Sequence, residues 1–486
     1  NDKPFDYKFP NMDLLNVSST VNFNINKNNF LERAKYLKKT LLDFCINADI
    51  KEIVPGPVVT RYDLTLAPGV KVQSLLNISD NISLAMRAVS IRILPIPEKS
   101  AIGIEVPNIL TSRVGLREVL ESNVFKNSKS SISLALGKTT EGFCYVIDLI
   151  SMPHLLIAGA TGSGKSVCIH SIILSILYKA RPDEVKFVLI DPKQVELVVY
   201  RDIPHIYNPC TDAINADIIT DANDAIKVLK KLIVVMNERY AKFAKQMVRN
   251  IEEYNNKMID IKSKKEFYIV VIIDEFADLV LNLQKEIEDS IQRLSQMSRA
   301  VGIHLIIATQ RPSVNIITGI IKANFTARLS FQTTSRIDSR VILDTQGAEC
   351  LIGKGDMLFL KPGEARPVRL QGAYVSLKEA EKIVSFINCQ KFPKYYDIVT
   401  TEFKNKNDLD KENKNNDDEK KIILALKFIN ERKRVSHDLL KENFGGSSKA
   451  ANILNILELR GFILKPNGTN RWKINHDKII NYLETK

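Results

Sequence analysis

The stretch "HLLIAGATGSGKSVCIHSIILSILY", His154 to Tyr178, constrains the fold of this chain more than any other. A short apolar run leads into Gly159, Ala160, Thr161, Gly162, Ser163, Gly164, Lys165 and Ser166, and an apolar helical run opens at Val167. This is the GxxxxGK[ST] spacing of a phosphate-binding loop set between a strand and a helix. Its glycines let successive backbone N–H groups curl around phosphate oxygens, at a helix N-terminus that already carries partial positive charge. Lys165 is placed to reach the β- and γ-phosphates, and Ser166 to ligate Mg²⁺. Residues Gly159 to Val167 are therefore the expected nucleotide contacts, with ATP and Mg²⁺ as cofactors. What the nucleotide's energy is spent on is left open by the loop alone.

A phosphate-binding loop also needs a carboxylate at the end of a neighbouring strand. "YIVVIIDEFADL" supplies Asp274, to hold the Mg²⁺ shell, and Glu275, to polarise an attacking water. The alternative is a pair of carboxylates capping the next helix. "IIATQRPS" ends another strand on Gln310, suited to sensing the γ-phosphate or else to a cap or turn. Phosphoryl transfer also gains from a cation against the γ-phosphate, often supplied by a neighbouring subunit. Arg299 in "QMSRAVG" and Arg336 in "TTSRIDSR" are candidates, with a solvated surface or a local ion pair as the competing reading for each.

From about 112 to 390, short apolar strands alternate with helices, the pattern of an α/β domain with a parallel sheet covered on both faces. The strands expected are "HLLIAGA", "VKFVLIDP", "FYIVVIIDE", "HLIIATQ" and "ARLSFQT". Residues 1–30 are polar and weakly periodic and read as a linker or arm. A helix in "FLERAKYLKKTLLDFC", a hairpin in "GPVVTRYDLTLAPGVKV", a helix in "NISLAMRAVSI" and a hairpin in "IRILPIPEKSAIGIEVPN" make residues 31–111 a small α+β domain. Residues 112–398 form the nucleotide-binding domain, 399–418 a tether rich in charged and amide residues, and 419–486 a separate domain.

Six cysteines scattered without CxxC pairs argue against a zinc site and a disulfide framework. No apolar stretch has the length of a membrane helix. With Asn1 in place of Met, the chain reads as a soluble piece of something longer. The net charge is +13, which either a polyanionic partner or a lysine-rich proteome would explain. The distribution bears on that choice, because residues 421–486 hold 13 Lys and Arg against six Asp and Glu. "EKKIILALKFIN", "VSHDLLKENF" and "SSKAANILNILELRG" read as three helices, and "FILKPNGTNRWKIN" as a hairpin about Asn-Gly. Three helices and a wing form a winged helix-turn-helix, whose third helix enters the major groove. On that helix Ser448, Lys449, Asn452 and Asn455 face away from the apolar set, with amides suited to adenine and Lys to guanine or phosphate. A protein-docking winged helix with a solvated polar face is the alternative.

"GPVVTRYDLTLAPGVKV", "HLLIAGATGSGKSV", "VLIDPKQVEL", "IIDEFADL", "IIATQRPS", "ITGIIKANF" and "LIGKGDM" resemble the FtsK/SpoIIIE family of bacterial double-stranded DNA translocases, in order and from about Phe5 to the end of the chain. The resemblance implies a homo-hexameric ring with an α domain, a RecA-like β motor domain and a tethered γ winged helix. It implies an ATPase stimulated by double-stranded DNA that pumps duplex through the ring during chromosome segregation and cell division, with γ setting direction. It further implies a site-specific recombinase as a partner of γ, and a place on the cytoplasmic side of the bacterial cell membrane through a missing N-terminal segment. By motif match Arg299 resembles the family's trans-acting arginine finger, while Arg336 stands where many relatives carry Lys. Arg311, Lys322 and Arg340 fall in loops that resemble those facing the channel, and their places just after strand ends suit phosphate contacts. Asn315 departs from a common aspartate, and Asn452 and Asn455 from the Arg and acidic residues of relatives that read directional sequences. Two rivals are a conjugative coupling or secretion ATPase on the same core and a non-motor regulator with a vestigial loop. The α-domain hairpin and winged helix speak against the first, and intact Lys165, Ser166, Asp274 and Glu275 against the second.

Overall fold

Apolar runs such as "YIVVII" and an alternating strand such as "VTRYDLTL" go to different sheets. The computed structural model describes residues 7–17 and 27–392, and towards the carboxyl end 424–426, 429, 432, 435, 440, 453–455, 457–458, 461–464, 472–476 and 478–479. The chain divides into two units, Asn1–Thr400 and Thr401–Lys486. In the first, β1 (Ala48–Pro55), β2 (Val59–Leu66), β3 (Arg92–Ile96) and β4 (Ala101–Pro107) form an antiparallel sheet in the order β1-β2-β4-β3. The helix Lys27–Asp43 covers it, burying Ala34, Leu37 and Leu41 against Tyr62, Leu64 and Ile104.

Here the stretch read as one hairpin, "GPVVTRYDLTLAPGVKV", is a single strand, β2, paired with β1 on one side and β4 on the other. The turn comes earlier, closed by Gly56 N–H on the Val59 carbonyl at 3.0 Å. β1 escaped notice because its register shifts between Ile50 and Glu52, which breaks the alternation. The segment read as a helix from "NISLAMRAVSI" is helical only to Ala85, after a separate short helix Val72–Asn77.

The larger sheet has nine strands. They are β5 (Ser133–Thr139), β6 (Cys144–Asp148), β7 (His154–Ala158), β8 (Val185–Ile190), β9 (Tyr268–Ile273), β10 (Ile303–Thr309), β11 (Ala327–Phe331), β12 (Asp356–Leu360) and β13 (Val368–Gly372). Their order is β6-β5-β13-β12-β11-β7-β10-β9-β8. The five strands expected from sequence are present and parallel. The sheet is nevertheless mixed, since β12, β13, β5 and β6 extend it antiparallel from β11. Leu155–Ala158, Ile269–Ile273 and Leu305–Ala308 are fully buried, as strands covered on both faces must be. The parallel order brings the carboxyl ends of β7, β8, β9 and β10 to one edge, where Gly159, Asp191, Asp274 and Gln310 follow them.

Residues 7–17, within the segment read as a linker or arm, pack on this large sheet's core. Tyr7 and Leu15 are buried, and Tyr7 meets Phe9, His205 and Phe392 edge-on. Asn16 N–H donates to Glu379 Oε1 at 2.7 Å, and the backbone of Lys8 exchanges two hydrogen bonds with the Gln390 amide. The apolar residues here are irregularly spaced, so no helix or strand period announces them. In the second unit, Leu426, Ile429, Leu440, Ile453, Leu454, Leu457 and Ile463 share a core, and β14 (Ile463–Leu464) pairs antiparallel with β15 (Lys473–Ile474). Among the described residues no helix is long and apolar enough to cross a membrane.

A buried ion network joins the two sheets of the first unit. Arg369 on β13 grips Asp356 with two hydrogen bonds, at 2.9 and 2.6 Å, and reaches Glu105 on β4 at 2.8 Å. Arg92 on β3 approaches the same Glu105 oxygen at 3.5 Å. Burial pushes the Glu105 pKa up, but Arg369 and Arg92 outweigh it and hold the carboxyl below its usual range. Its stabilising contribution is therefore complete above the unfolded value of about 4.5 and is lost as pH falls through the lowered folded value. Removing the central cation leaves two buried carboxylates uncompensated. Arg369→Met should cost about 3–5 kcal/mol in urea unfolding at neutral pH. Adding Glu105→Gln and Asp356→Asn should recover part of that loss, and no recovery would mean the network is not what holds the sheets together.

Candidate nucleotide-binding site

The phosphate-binding loop leaves the sheet between two neighbours of β7. Gly159 N–H donates to the Thr309 carbonyl at 3.4 Å and Ala160 N–H to the Gln332 carbonyl at 2.9 Å. Gly162 and Gly164 have φ of +77° and +118°, which L side chains disfavour. Gly164 has a second constraint: a Cβ there would lie 2.6 Å from the Gly355 nitrogen. Gly355 N–H also donates to the Ser163 carbonyl at 2.8 Å, and the Gly355 carbonyl accepts from Gly372 N–H at 2.7 Å. Gly353, Lys354 and Gly355 all have positive φ, and this run lets the backbone of "LIGKGDM" brace the loop from behind.

Lys165 opens the helix Lys165–Leu177 and is buried, with Nζ 2.7 Å from Asp274 Oδ1 and 3.1 Å from the Asp274 carbonyl. Asp274 and Glu275 follow β9, as the carboxylate-ended strand requires. Glu275 is fully buried, accepting from Thr309 Oγ1 at 2.7 Å and from Gln310 N–H at 3.1 Å. The Gln310 side chain reaches back to the loop, where Thr161 Oγ1 donates to its Oε1 at 2.8 Å. Val167 lies half-buried beside Ser166. Lys165, Ser166, Asp274, Glu275 and Gln310 thus gather at one edge of the sheet.

Four residues at this edge were not singled out from sequence. Asp191, ending β8, accepts backbone N–H bonds from Lys193, Gln194, Val195, Glu196 and Leu197 and so folds "DPKQVEL" into a turn. That turn sets Glu196 against Ser166, whose Oγ donates to Glu196 Oε1 at 2.7 Å. It also sets Lys193 Nζ 3.6 Å from Glu275 and 3.5 Å from Asp278. Thr309 is the fourth. The available signal was "VLIDPKQVEL", which entered the sequence reading only as part of a family resemblance, with no chemistry attached to its residues.

The remaining candidates are spread more widely. Arg336 begins the helix Arg336–Leu343 beyond β11, exposed, with Nε 3.8 Å from Glu349. Arg311 follows β10 and stands 3.9 Å from Asp278. Arg299 is exposed but precedes β10, so it lies at the opposite edge of the sheet from Lys165. A strand of this length separates the two edges by about 20 Å, beyond the reach of an arginine side chain. The expectation that Arg311, Lys322 and Arg340 all directly follow strand ends holds for Arg311 only. Lys322 is drawn into an ion pair with Asp344, 2.7 Å away, which also takes Arg328 near the start of β11. Arg340 sits within its helix beside the Gln346 amide. Asn455 is exposed on a helical segment, while Ser448, Lys449 and Asn452 lie outside the described residues.

Electrostatically the edge holds more carboxylates than cations. Burial, with Asp191 and Glu196 adding to it, outweighs Lys165 and raises the Asp274 pKa. A hydroxyl and a carboxylate beside an anion-binding loop suit a divalent cation that arrives with phosphate oxygens. Among the described residues no ready-made cage of three or more ligating side chains exists, so phosphates would have to complete the shell.

Residues 115–314 match the FtsK/SpoIIIE family, and residues 9–108 match the FtsK alpha domain. The chain belongs to the FtsK/SpoIIIE family. Among curated members it is 46% identical over 482 residues to the DNA translocase FtsK of Clostridium acetobutylicum, covering 98% of this chain and 62% of that protein. It is 43% identical over 466 residues to the DNA translocase SpoIIIE of Bacillus subtilis, covering 94% and 57%. This FtsK/SpoIIIE chain thus spans about three fifths of the curated relatives' length. A solved structure, the pCW3 conjugation coupling protein TcpA in its monomer form with ATPγS, aligns with a TM-score of 0.50 at 23% identity, over 73% of this chain and 99% of that one. That likeness shows the α/β P-loop ATPase-like fold.

The two left-handed glycines of the loop should differ in their tolerance of a side chain. Gly162→Ala meets nothing within 4 Å and should cost only the left-handed backbone penalty, about 1–2 kcal/mol. Gly164→Ala must also displace the Gly355 backbone and should cost at least about 1–3 kcal/mol more. Urea unfolding of both variants measures the difference, and equal costs would show that Gly355 does not brace the loop.

Proposed function

We propose that this chain is the motor portion of an ATP-driven pump for double-stranded DNA, working as a homo-hexameric ring. The observation that carries the reading is the separation of Arg299 from its own phosphate-binding loop. A chain with an otherwise gathered site and its candidate finger on the far edge of the sheet has an incomplete site alone, and a neighbouring copy in a ring would complete it. The relatives named DNA translocases support the substrate.

On this reading the loop N–H groups and Lys165 bind the ATP phosphates, and binding draws Lys165 away from Asp274. Ser166 and Asp274 would hold Mg²⁺, which when bound offsets charge on the β- and γ-oxygens. Glu275 orients water, Gln310 reports the γ-phosphate to the segment carrying Arg311, and a neighbour's Arg299 offsets transition-state charge, with Arg336 as a further cation. Residues 31–111 form the α domain, 112–398 the β domain, 399–418 a tether and 419–486 a γ winged helix. Arg311, Lys322 and Arg340 grip phosphates without reading sequence. Lys322 must first give up Asp344 to do so. Ser448, Lys449, Asn452 and Asn455 read bases and set direction for chromosome partition at division. A site-specific recombinase at γ and a membrane-bound N-terminal segment complete the proposed setting, at the cytoplasmic side of the bacterial membrane.

Steady-state ATP hydrolysis tests the reading. Duplex DNA should raise the rate at least tenfold, single strands should not, and Lys165→Ala should abolish it. Stimulation by single strands would favour a conjugative coupling ATPase, and none by any nucleic acid a regulator. Mixing inactive Lys165→Ala chains with inactive Arg299→Ala chains should restore measurable activity, because some interfaces then pair an intact loop with an intact finger. No restoration would place the finger elsewhere.

A further inference from the structure

The turn built on Asp191 carries a carboxylate to which no role has been attached. Glu196 Oε1 accepts the Ser166 hydroxyl proton at 2.7 Å. Its backbone N–H is held by Asp191 Oδ2 at 3.1 Å, inside the five-bond cradle that fixes the turn. Its other oxygen lies 3.8 Å from His170 Nε2, and His170 Nδ1 is 2.8 Å from the hydroxyl of the buried Tyr200. With Tyr200 donating to Nδ1, the imidazole presents Nε2–H towards Glu196, so the carboxylate lies between the Ser166 hydroxyl and the His170 ring while Asp191 fixes its backbone. This is a rigid placement on one side of Ser166, reached from a different strand than the loop itself.

Two consequences follow for a ligand at Ser166. A hydroxyl that gives its proton to Glu196 turns its lone pairs the other way, which is the orientation a cation needs from it. The carboxylate also adds a negative charge next to a phosphate site where Asp191 and Asp274 already outnumber Lys165. A nucleotide triphosphate entering without a cation meets repulsion that one with Mg²⁺ does not.

We propose that Glu196 is a positioning residue that presents Ser166 to Mg²⁺ and makes the pocket select the Mg²⁺–nucleotide complex over the free nucleotide. The inference rests on the nucleotide-binding reading and deepens it by naming what discriminates between the two ligand forms. Glu196 touches neither substrate nor reacting atoms; it acts through the serine oxygen and through charge.

The test is equilibrium binding of a fluorescent, slowly hydrolysed ATP analogue to the whole chain, in Mg²⁺ and in EDTA. Wild-type chain should bind at least tenfold more tightly with Mg²⁺. Glu196→Gln keeps the shape and removes the charge; it should gain affinity in EDTA, lose some in Mg²⁺, and cut the preference about tenfold. The concentration of Mg²⁺ that half-saturates binding should rise in the same variant. Glu196→Ala, which removes the hydrogen bond as well, should show the larger rise, and a thermal melt of each variant with no ligand checks that it is folded. If Gln for Glu196 destabilises the turn, Tyr200→Phe, which loosens His170 alone, should still shift the preference in the same direction. A folded Glu196→Gln chain that keeps the wild-type preference would overturn the inference alone. A wild-type chain that binds the analogue in neither medium would overturn the nucleotide reading and the inference with it.

Discussion

The parallel run β11-β7-β10-β9-β8 decides where chemistry is placed in this protein. Because these strands are buried on both faces, a polar side chain within them needs an internal partner, as Lys186 has in the Pro204 carbonyl, and the groups available to a ligand lie past the strand ends. The register Thr309 opposite Ala158, and Ile307 opposite Ile273, brings those ends level. Gly159, Asp191, Asp274 and Gln310 therefore meet at one edge although far apart in sequence. The same constraint sends Arg299 to the other edge, since it precedes β10 where the others follow their strands. A completed site thus requires a second chain on the proposed reading.

The antiparallel half of the sheet has a different task. β12 begins at Asp356, directly after the Gly353–Gly355 run that supports the phosphate-binding loop. Asp356 is gripped by Arg369, which also holds Glu105 on the small sheet. Contact is therefore continuous from the Ser163 carbonyl through Gly355, Asp356 and Arg369 to β4. Buried ion pairs of this kind are specific in geometry rather than strongly stabilising. They suit a joint between nucleotide loop and small domain that holds one arrangement or breaks.

How much of this was legible in sequence depended on whether a residue's role repeats locally. The five parallel strands are predominantly apolar runs and show themselves directly, as does the loop by its glycine spacing. Asp274 and Glu275 were found because they end such a run. β5, β6, β12 and β13 were not, since "SLALGKT", "CYVID", "DMLFL" and "VRLQG" carry polar residues or glycine among the apolar ones and none forms a sustained apolar run. β2 was misread as a hairpin because the register shift in β1 hid its true partner. Tyr7 and Leu15 have no periodic neighbours, and only the folded core shows that they are buried. Glu196 and Lys193 reach the site through a turn whose geometry comes from the Asp191 carboxylate, which no residue pattern displays. Lys322 was read from sequence as a phosphate contact, and the claim Asp344 makes on it is a tertiary fact.

The central claim is that nucleotide hydrolysis moves a duplex. A fluorescent third strand annealed at one end of a linear duplex, with loading confined to the other, measures this directly. The account predicts that ATP releases the third strand after a lag lengthening with the distance between loading site and triplex, and that a slowly hydrolysed analogue releases none. Hydrolysis at full rate with the third strand still in place would contradict it.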